Sequence, residues 1–504
     1  MRTGCSGAPH DDAGVVRLLV TEVRRFMKSI DSSALDREAR LPKDVLDRAA
    51  SLGLFALAIP ADHGGLGLSL DTACRVVDAI ATVDRSLAIT IGLHAGLGTR
   101  GLIELGRASL RDTWLPRMAR GACIGAFAAT ETGAGSDLAA MRTVLRKTAD
   151  GLVLDGEKAF VTNGGFAGLF TVLASSPSLG AERGHTLVCV PADAPGVSIG
   201  REEQKLGIRA SSTVTVRFDG VHVPEDHLLG EPGRGMQHAQ GILAWGRTIM
   251  AAGCVGTARA ALSATIAHVT SRRQSGRAIG AFGATREHVV SMAARLLAMD
   301  ALTHDAAGRD CTTIEGVALT AKVFCSEGAF AICDRAVQLH GALGFLEPIG
   351  IARMLRDCRV TRIFEGANDV LLVRLGASRV ASREPFARGV ASECRTVASR
   401  LDSAADFLRS RYGVTAVRRQ TMLQGIARAE VAVAAAQATL SGPSASREPS
   451  LASFAVEELL AHAERHLDAI AFAEEREERV ASLSDRLYGS MPARTPSGHV
   501  AVSP

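Results

Sequence analysis

The sequence predicts an α+β fold: an N-terminal block of helices, a middle β-barrel domain, a four-helix bundle and a further helical segment appended at the C-terminal end. Three observations support it. Apolar residues recur at helical spacing over the first hundred or so positions, the period shortens to alternation in the middle, and helical spacing returns from Gly235 onward. At 504 residues the chain also exceeds what one hydrophobic core usually serves, so more than one domain is expected.

In residues 1–123, Val15, Leu18, Leu19, Val23 and Phe26 fall three and four apart, and Pro60 with the run His63-Gly64-Gly65-Leu66-Gly67 interrupts the pattern. Residues 124–233 carry short alternating runs, such as Thr186 to Val190 and Thr213 to Phe218, punctuated by the turn pairs Asp155-Gly156 and Asn163-Gly164. Residues 234–381 place Met250, Ala251, Cys254, Val255 and Ala258 on one helical face, as a bundle requires. Residues 382–490 are again helical, broken by a loop from Ser441 to Pro449, and residues 491–504 read as a disordered tail.

With 47% hydrophobic and 22% charged residues the chain is apolar enough to fold throughout. Its net charge is only +4, and no basic block is interleaved with aromatics, which argues against a nucleic-acid partner. Ten cysteines without a CxxC pair or zinc-ligand spacing read as small core residues in a reducing compartment, with no metal site. Met1 to Gly14 lacks an apolar run behind a basic start, and no unbroken apolar run of about 18 residues occurs, so a cytoplasmic protein without a transmembrane segment is expected.

Five motifs carry the chemistry. The first is the hydroxyl- and Gly-rich run Ala128 to Asp137, whose short side chains let a flat ligand approach the backbone. Ala159 to Gly165, Arg272 to Gly276, Gln338 to Gly344 and Arg362 to Val370 follow in that order. Together they resemble the acyl-CoA dehydrogenase family over roughly residues 13 to 380, and the added helical segment makes the very-long-chain branch the most similar. The resemblance implies FAD held where the three domains meet and shared across a subunit interface, in an enzyme that oxidises a medium- to long-chain fatty acyl-CoA to its trans-2-enoyl thioester.

By that resemblance Glu365 takes the α-proton while the β-carbon delivers hydride to flavin N5, and the Glu365 N–H polarises the thioester carbonyl. A glutamate near its ordinary pKa of about 4.3 is a poor base. Desolvation by Ile363, Phe364 and Val370 is expected to raise it toward roughly 6 to 7. The rival position for the base in other branches corresponds to Gly246, which has no side chain. Thr130, Phe160 and Thr162 match residues against the flavin ring, Ser136 one near the pyrophosphate and substrate, and Arg272, Gln338, Gly341 and Asn368 others around FAD. Arg247 and Gly366 match substrate-side positions, Arg247 toward the CoA end. Taken singly, each hydroxyl reads equally as a local cap and each arginine as a helix-face charge.

Several positions depart from the family pattern: Phe160 for a tryptophan, Ser275 for a phenylalanine, Ala342 for a glycine, Ala367 for a threonine and Gly283 for a glutamine. Phe160 keeps an aromatic face, while the resemblance implies that Ser275, Ala367 and Gly283 together remove several adenine and phosphate contacts. The resemblance further implies electron-transfer flavoprotein as acceptor and a homo-oligomer, with a dimer preferred because the appended helices would cover a tetramer face. Alternatives that share these motifs are a dehydrogenase of an acyl chain tethered to a carrier protein, an acyl-CoA oxidase and a catalytically silent assembly partner. Finally, three glycines in Gly92 to Gly98 cost a helix up to about 1 kcal/mol each and need a use, either close helix packing or room for a long acyl chain.

Overall fold

The structure is a computed structural model that describes residues 13–489 except 150, 180–183, 311–312 and 471. The tail expected at residues 491–504 lies outside the described residues. Two compact units divide the chain, one made of residues up to 371 with 434–457, the other of residues 372–433 with those from 458 on. This division cuts across the segments read from the sequence and passes inside the helix Asn368–Ala381.

The first unit begins with α1 Ala13–Met27, α2 Ser32–Glu38, α3 Lys43–Ser51, α4 Leu70–Ala81, α5 Arg85–Leu93, α6 Thr99–Leu105 and α7 Ala108–Ala119. Asp84 starts α5 by accepting the Leu87 N–H at 2.7 Å, which satisfies one of the unpaired donors of a first turn. α5 then runs into a π-helical turn, His94–Gly98, where the glycine-rich run lies. His94 is fully buried there; its Nε2 donates to the Phe55 carbonyl at 3.1 Å while Nδ1 accepts the Gly125 N–H at 3.0 Å. Both nitrogens are used by a neutral ring, and burial pushes its pKa down to about 4.

The middle of the chain forms one eight-stranded sheet from β1 Ile124–Ala128, β2 Val144–Thr148, β3 Gly151–Thr162, β4 Ala167–Ser175, β5 His185–Pro191, β6 Val197–Ile199, β7 Thr213–Val223 and β8 Leu228–Leu229. Its order is β6-β7-β3-β2-β4-β5-β8, with β1 parallel to β4. The expected barrel is therefore not closed by hydrogen bonds among the described residues: β6 and β8 end the order without pairing to each other. Leu145, Leu154, Phe170, Val172, Val188 and Val216 fill its interior. Asp155-Gly156, expected as a turn, is a bulge within β3. Gly156 takes φ +143° because a Cβ there would lie 2.5 Å from Thr143 Cα.

After the sheet come α8 Gly235–Ser271, α9 Gly283–Ala307, α10 Ile314–His340, α11 Ile351–Arg359 and α12 Asn368–Ala381. α8 and the stretch Ile314–Phe345 are long and apolar enough by composition to cross a membrane. In each, 72% of the apolar window is buried inside the protein, the mark of a core helix. α13 Ser392–Tyr412, α14 Gln420–Ser441, α15 Pro443–Arg447, α16 Pro449–Ile470 and α17 Ala473–Gly489 complete the chain. The loop expected from Ser441 to Pro449 thus contains a short helix with proline at its first position, where a missing N–H costs nothing. Within the second unit Gly376 packs against the Leu423 carbonyl, and Arg409 Nε donates to the Val380 carbonyl at 2.7 Å.

The glycines at the end of α5 and in the π-helical turn serve packing. A Cβ on Gly92 would meet Ile249 Cγ2 at 2.8 Å, one on Gly96 would meet Gly246 Cα at 3.3 Å, and one on Gly98 would meet the Gly125 carbonyl oxygen at 2.7 Å. Gly96→Leu should therefore lower stability by about 1–3 kcal/mol through overpacking against α8. Thermal unfolding checks this, and an unchanged Tm with selective loss of activity on long chains would restore the view that the glycines make room for substrate.

Candidate active site

Glu365 stands between the end of α11 and the start of α12, with φ +55°, a left-handed conformation that few non-glycine residues adopt. That turn separates its side chain from its sequence neighbours. Ile363 and Val370, expected to dry the carboxylate, are instead 54% and 44% exposed. Gly246 of α8 supplies the dry contact: a Cβ there would lie 3.2 Å from Glu365 Oε2 and 2.5 Å from Leu97 Cδ2. Position 246 thus faces the same point as position 365, and its lack of a side chain leaves room for the carboxyl group. The residue as a whole is partly exposed, but Oε2 has neither solvent contact nor a hydrogen-bond partner.

Two buried cations hold the backbone that carries this carboxylate. Arg247 Nε donates to the Glu365 carbonyl at 3.1 Å, and Lys322 Nζ, from α10, donates to the Gly366 carbonyl at 2.8 Å and to Asn368 Oδ1 at 2.6 Å. Asn368 Nδ2 in turn donates to Ser326 Oγ at 2.9 Å and Glu327 Oε1 at 2.7 Å. The Asn368 amide, read from the sequence as a cofactor contact, is thereby occupied inside the protein. Burial pushes the Glu365 carboxyl up to about 7 against the opposing pull of Arg247, Lys322 and Arg85. Burial likewise lowers Lys322 to about 8, with the Glu365 charge holding it up. A carboxylate poised near neutrality in a dry site has the properties of a general base.

The second group of residues lies on and beside β3. Lys158 is fully buried, and its Nζ donates to the Ala129 carbonyl at 3.0 Å and to Glu131 Oε1 at 2.8 Å. Glu131 also accepts the N–H groups of Arg142 and Thr143 at 2.7 and 2.9 Å, and these bonds hold its pKa down to about 2 despite burial. Together with the Ala159 N–H bonded to the Thr130 carbonyl at 2.9 Å, this network pins the glycine-rich loop beside Phe160. Phe160 itself is 60% exposed at φ +56°. An aromatic held in that conformation on the surface is a strained residue of the kind found at ligand sites. Asn163 Nδ2 donates to the Thr90 carbonyl at 3.0 Å and joins the end of β3 to α5.

Thr130 and Thr162 are half-buried and Ser136 is exposed, while Gly133 has open space where a Cβ would stand. Arg272 and Gln338 are exposed at the C-terminal ends of α8 and α10, and Gly341 beyond Gln338 also faces open space. Arg247, which one reading placed in a salt bridge on a helix face, is buried and donates to the Glu365 carbonyl. Lys158, Glu131 and Lys322 were missed from the sequence; a lysine within an apolar strand or helix run, as at Val323 and Phe324, is the signal that could have found them.

Residues 16–122, 126–221 and 233–380 match, in order, the N-terminal, middle and C-terminal domains of acyl-CoA dehydrogenase. A probable acyl-CoA dehydrogenase of Mycobacterium bovis, fadE25, is 34% identical over 67% of this chain and 88% of that protein. The chain belongs to the acyl-CoA dehydrogenase family. The very long-chain specific acyl-CoA dehydrogenase of Mus musculus is 36% identical over 72% of this chain, which spans only 57% of that longer relative. The acyl-CoA dehydrogenase of Bacillus anthracis solved with FAD superposes with a TM-score of 0.84 at 25% identity, over 92% of this chain and 89% of that one. Glu365, Gly246, Arg247 and Lys322 lie together in the interior of the candidate site.

The raised pKa of Glu365 has a stability consequence of definite sign. The folded state keeps a proton there that the unfolded chain releases in the ordinary carboxylate range. That contribution is complete below this range and is lost as pH rises through about 7. Gln mimics the protonated form, so Glu365→Gln should match the parent protein near pH 4.5 and exceed its stability at pH 8 by up to about 3 kcal/mol. Denaturant unfolding at the two pH values measures it, and a pH-independent difference would show that the carboxyl is not the titrating group.

Proposed function

We propose that this chain catalyses the FAD-dependent α,β-dehydrogenation of a fatty acyl-CoA thioester, of medium to long chain, to the trans-2-enoyl thioester. The observation that carries this reading is the Glu365 carboxylate, dry, near neutral in pKa and braced by Arg247 and Lys322 through successive carbonyls. Glu365 removes the α-proton, and the apolar contact at Gly246 keeps water from competing for it. The Glu365 N–H donates to the thioester carbonyl as negative charge develops there.

FAD fits the residues present. Thr130, in the loop after β1, and Phe160 and Thr162, at the end of β3, offer hydroxyls and an exposed ring, and the open space at Gly133 lets a flat group approach the backbone. Ser136 would lie toward the pyrophosphate and the substrate. Arg272, Gln338 and Gly341 have free faces for the adenosine end of an FAD bound mainly by a second subunit. Bound FAD supplies the two-electron acceptor for the β-hydrogen. Gly366 and Arg247 would line the thioester end of the substrate, Arg247 through its hold on the Glu365 carbonyl. An electron-transfer flavoprotein would reoxidise the enzyme, in a reducing, cytoplasmic setting that suits eight buried free cysteines among the described residues.

A second reading is favoured by one likeness. The prolyl acyl carrier protein oxidase AnaB superposes with a TM-score of 0.69 at 27% identity over 99% of its own chain. It makes a carrier-tethered acyl group the alternative substrate, and turnover of carrier-protein thioesters in preference to CoA thioesters would decide for it.

The protein should purify yellow, with about one FAD per chain expected from family architecture. Glu365→Gln should keep the flavin but slow its anaerobic bleaching by acyl-CoA about 10²–10⁴-fold, since Gln preserves shape and loses basicity. Undiminished bleaching would remove Glu365 as the base. Because Arg272 would serve FAD in a second subunit, sedimentation of the FAD-bound protein should give a homodimer, and an active, flavin-loaded monomer would contradict this.

A further inference from the structure

We infer that Arg85 is an anchor for a carboxylate at the far end of the acyl chain, so that the preferred thioesters are ω-carboxyacyl rather than simple fatty acyl groups. This rests on the dehydrogenase reading and narrows its substrate class. Arg85 is the first residue of α5 and is only 3% exposed. Its guanidinium lies across α8: Nη2 donates to the Met250 carbonyl at 3.3 Å and to Cys254 Sγ at 3.5 Å. A Cβ on Gly253 would fall 1.7 Å from Nη1. Among the described residues these are its acceptors, no ion pair reaches it, and its Nε is buried without a partner. The adjacent Asp84 does not neutralise it, because that carboxylate is turned to Ser32 and to the Leu87 N–H.

A buried guanidinium with a carbonyl, a thiol and an orphaned N–H is a poorly satisfied charge, and arginine meets a carboxylate with two parallel bonds when one is available. Its place relative to the base is what selects the ligand. Gly246, Met250 and Gly253 follow one another at helical spacing on one face of α8, with the Glu365 carboxyl over Gly246 and Arg85 over Gly253. Seven residues of helix separate the two ends by about 10 Å. A thioester whose α-carbon stands at Glu365 and whose chain follows this face would bring its far end to Arg85 after a handful of methylenes. A methyl end would leave the guanidinium unsatisfied; a carboxylate end would pair with it.

The test is anaerobic flavin reduction of the holoenzyme by matched pairs: adipoyl- against hexanoyl-CoA, suberoyl- against octanoyl-CoA, sebacoyl- against decanoyl-CoA. At one or more lengths the dicarboxylic thioester should be preferred in kcat/KM, and Arg85→Leu should reduce that preference on the order of 100-fold, with Arg85→Lys in between. Should Arg85→Leu fail to fold, calorimetric binding of the same pairs to Glu365→Gln gives the preference without turnover and should show tighter binding of the dicarboxylic member. Fatty acyl-CoAs that reduce the flavin while every dicarboxylic partner is rejected, or a preference untouched in Arg85→Leu, would overturn the inference and leave the dehydrogenase intact. Failure of both classes to reduce the flavin would overturn the dehydrogenase reading and this inference with it.

Discussion

The site depends on a balance between desolvation and charge at a single carboxylate. Burial raises the Glu365 carboxyl, and the charges of Arg247, Lys322 and Arg85 pull it back. Burial wins, and the group is left near 7. Arg247 and Lys322 act on the group in a second way, since the bonds they donate go to the carbonyls of Glu365 and Gly366 and not to the carboxylate. The acid therefore feels their charge without being neutralised by an ion pair, and the left-handed turn at Glu365 is fixed from both sides.

That balance requires helices closer together than ordinary side chains allow. Gly92 and Gly96 bring the end of α5 onto Ile249 and Gly246 of α8, and Gly246 in turn leaves the volume into which the carboxyl projects. Because the approach is so close, the polar groups at its edge take their partners from within the protein. His94 bonds Phe55 and Gly125 through both ring nitrogens, and Asn163 Nδ2 donates to the Thr90 carbonyl while its Oδ1 stays buried without a partner, so these side chains join the helices to the sheet. The π-helical turn at His94–Gly98 falls where these demands meet.

Much of this was legible in the sequence, and the exceptions have physical causes. The succession of helices, sheet and helices follows from periodicity, and the resemblance carried by the motif Arg362 to Val370 singles out Glu365, which the structure places against Gly246. Ile363 and Val370 were misplaced as its apolar surround because adjacency in sequence suggests adjacency in space, and a φ of +55° breaks that link. Asp155-Gly156 carries the signature of a tight turn, yet only the proximity of Thr143, across the sheet, decides that Gly156 makes a bulge instead. Lys158 with Glu131, and Lys322 with Asn368, are long-range polar pairs in the interior; an apolar run can mark the lysine, but no local pattern encodes its partner.

The contrast between the two halves of the site has a thermodynamic meaning. Around Glu365 the donors and acceptors that set the geometry lie within one chain and largely inside it, so the carboxyl group is positioned before any ligand arrives, which is the condition for electrostatic preorganisation. Around β3 the reverse holds: Phe160 is strained and exposed, Ser136, Arg272 and Gln338 are exposed, and the space at Gly133 and Gly341 is open. Strain at an exposed aromatic persists only where surrounding structure over-determines it, and the buried Lys158–Glu131 pair beneath the loop provides that constraint. The chain thus spends part of its folding free energy on holding an exposed surface in a strained conformation, while the carboxyl group is fixed from within. A substitution at Lys158 would accordingly act on that surface through the loop, and one at Lys322 would act on Glu365 through its backbone.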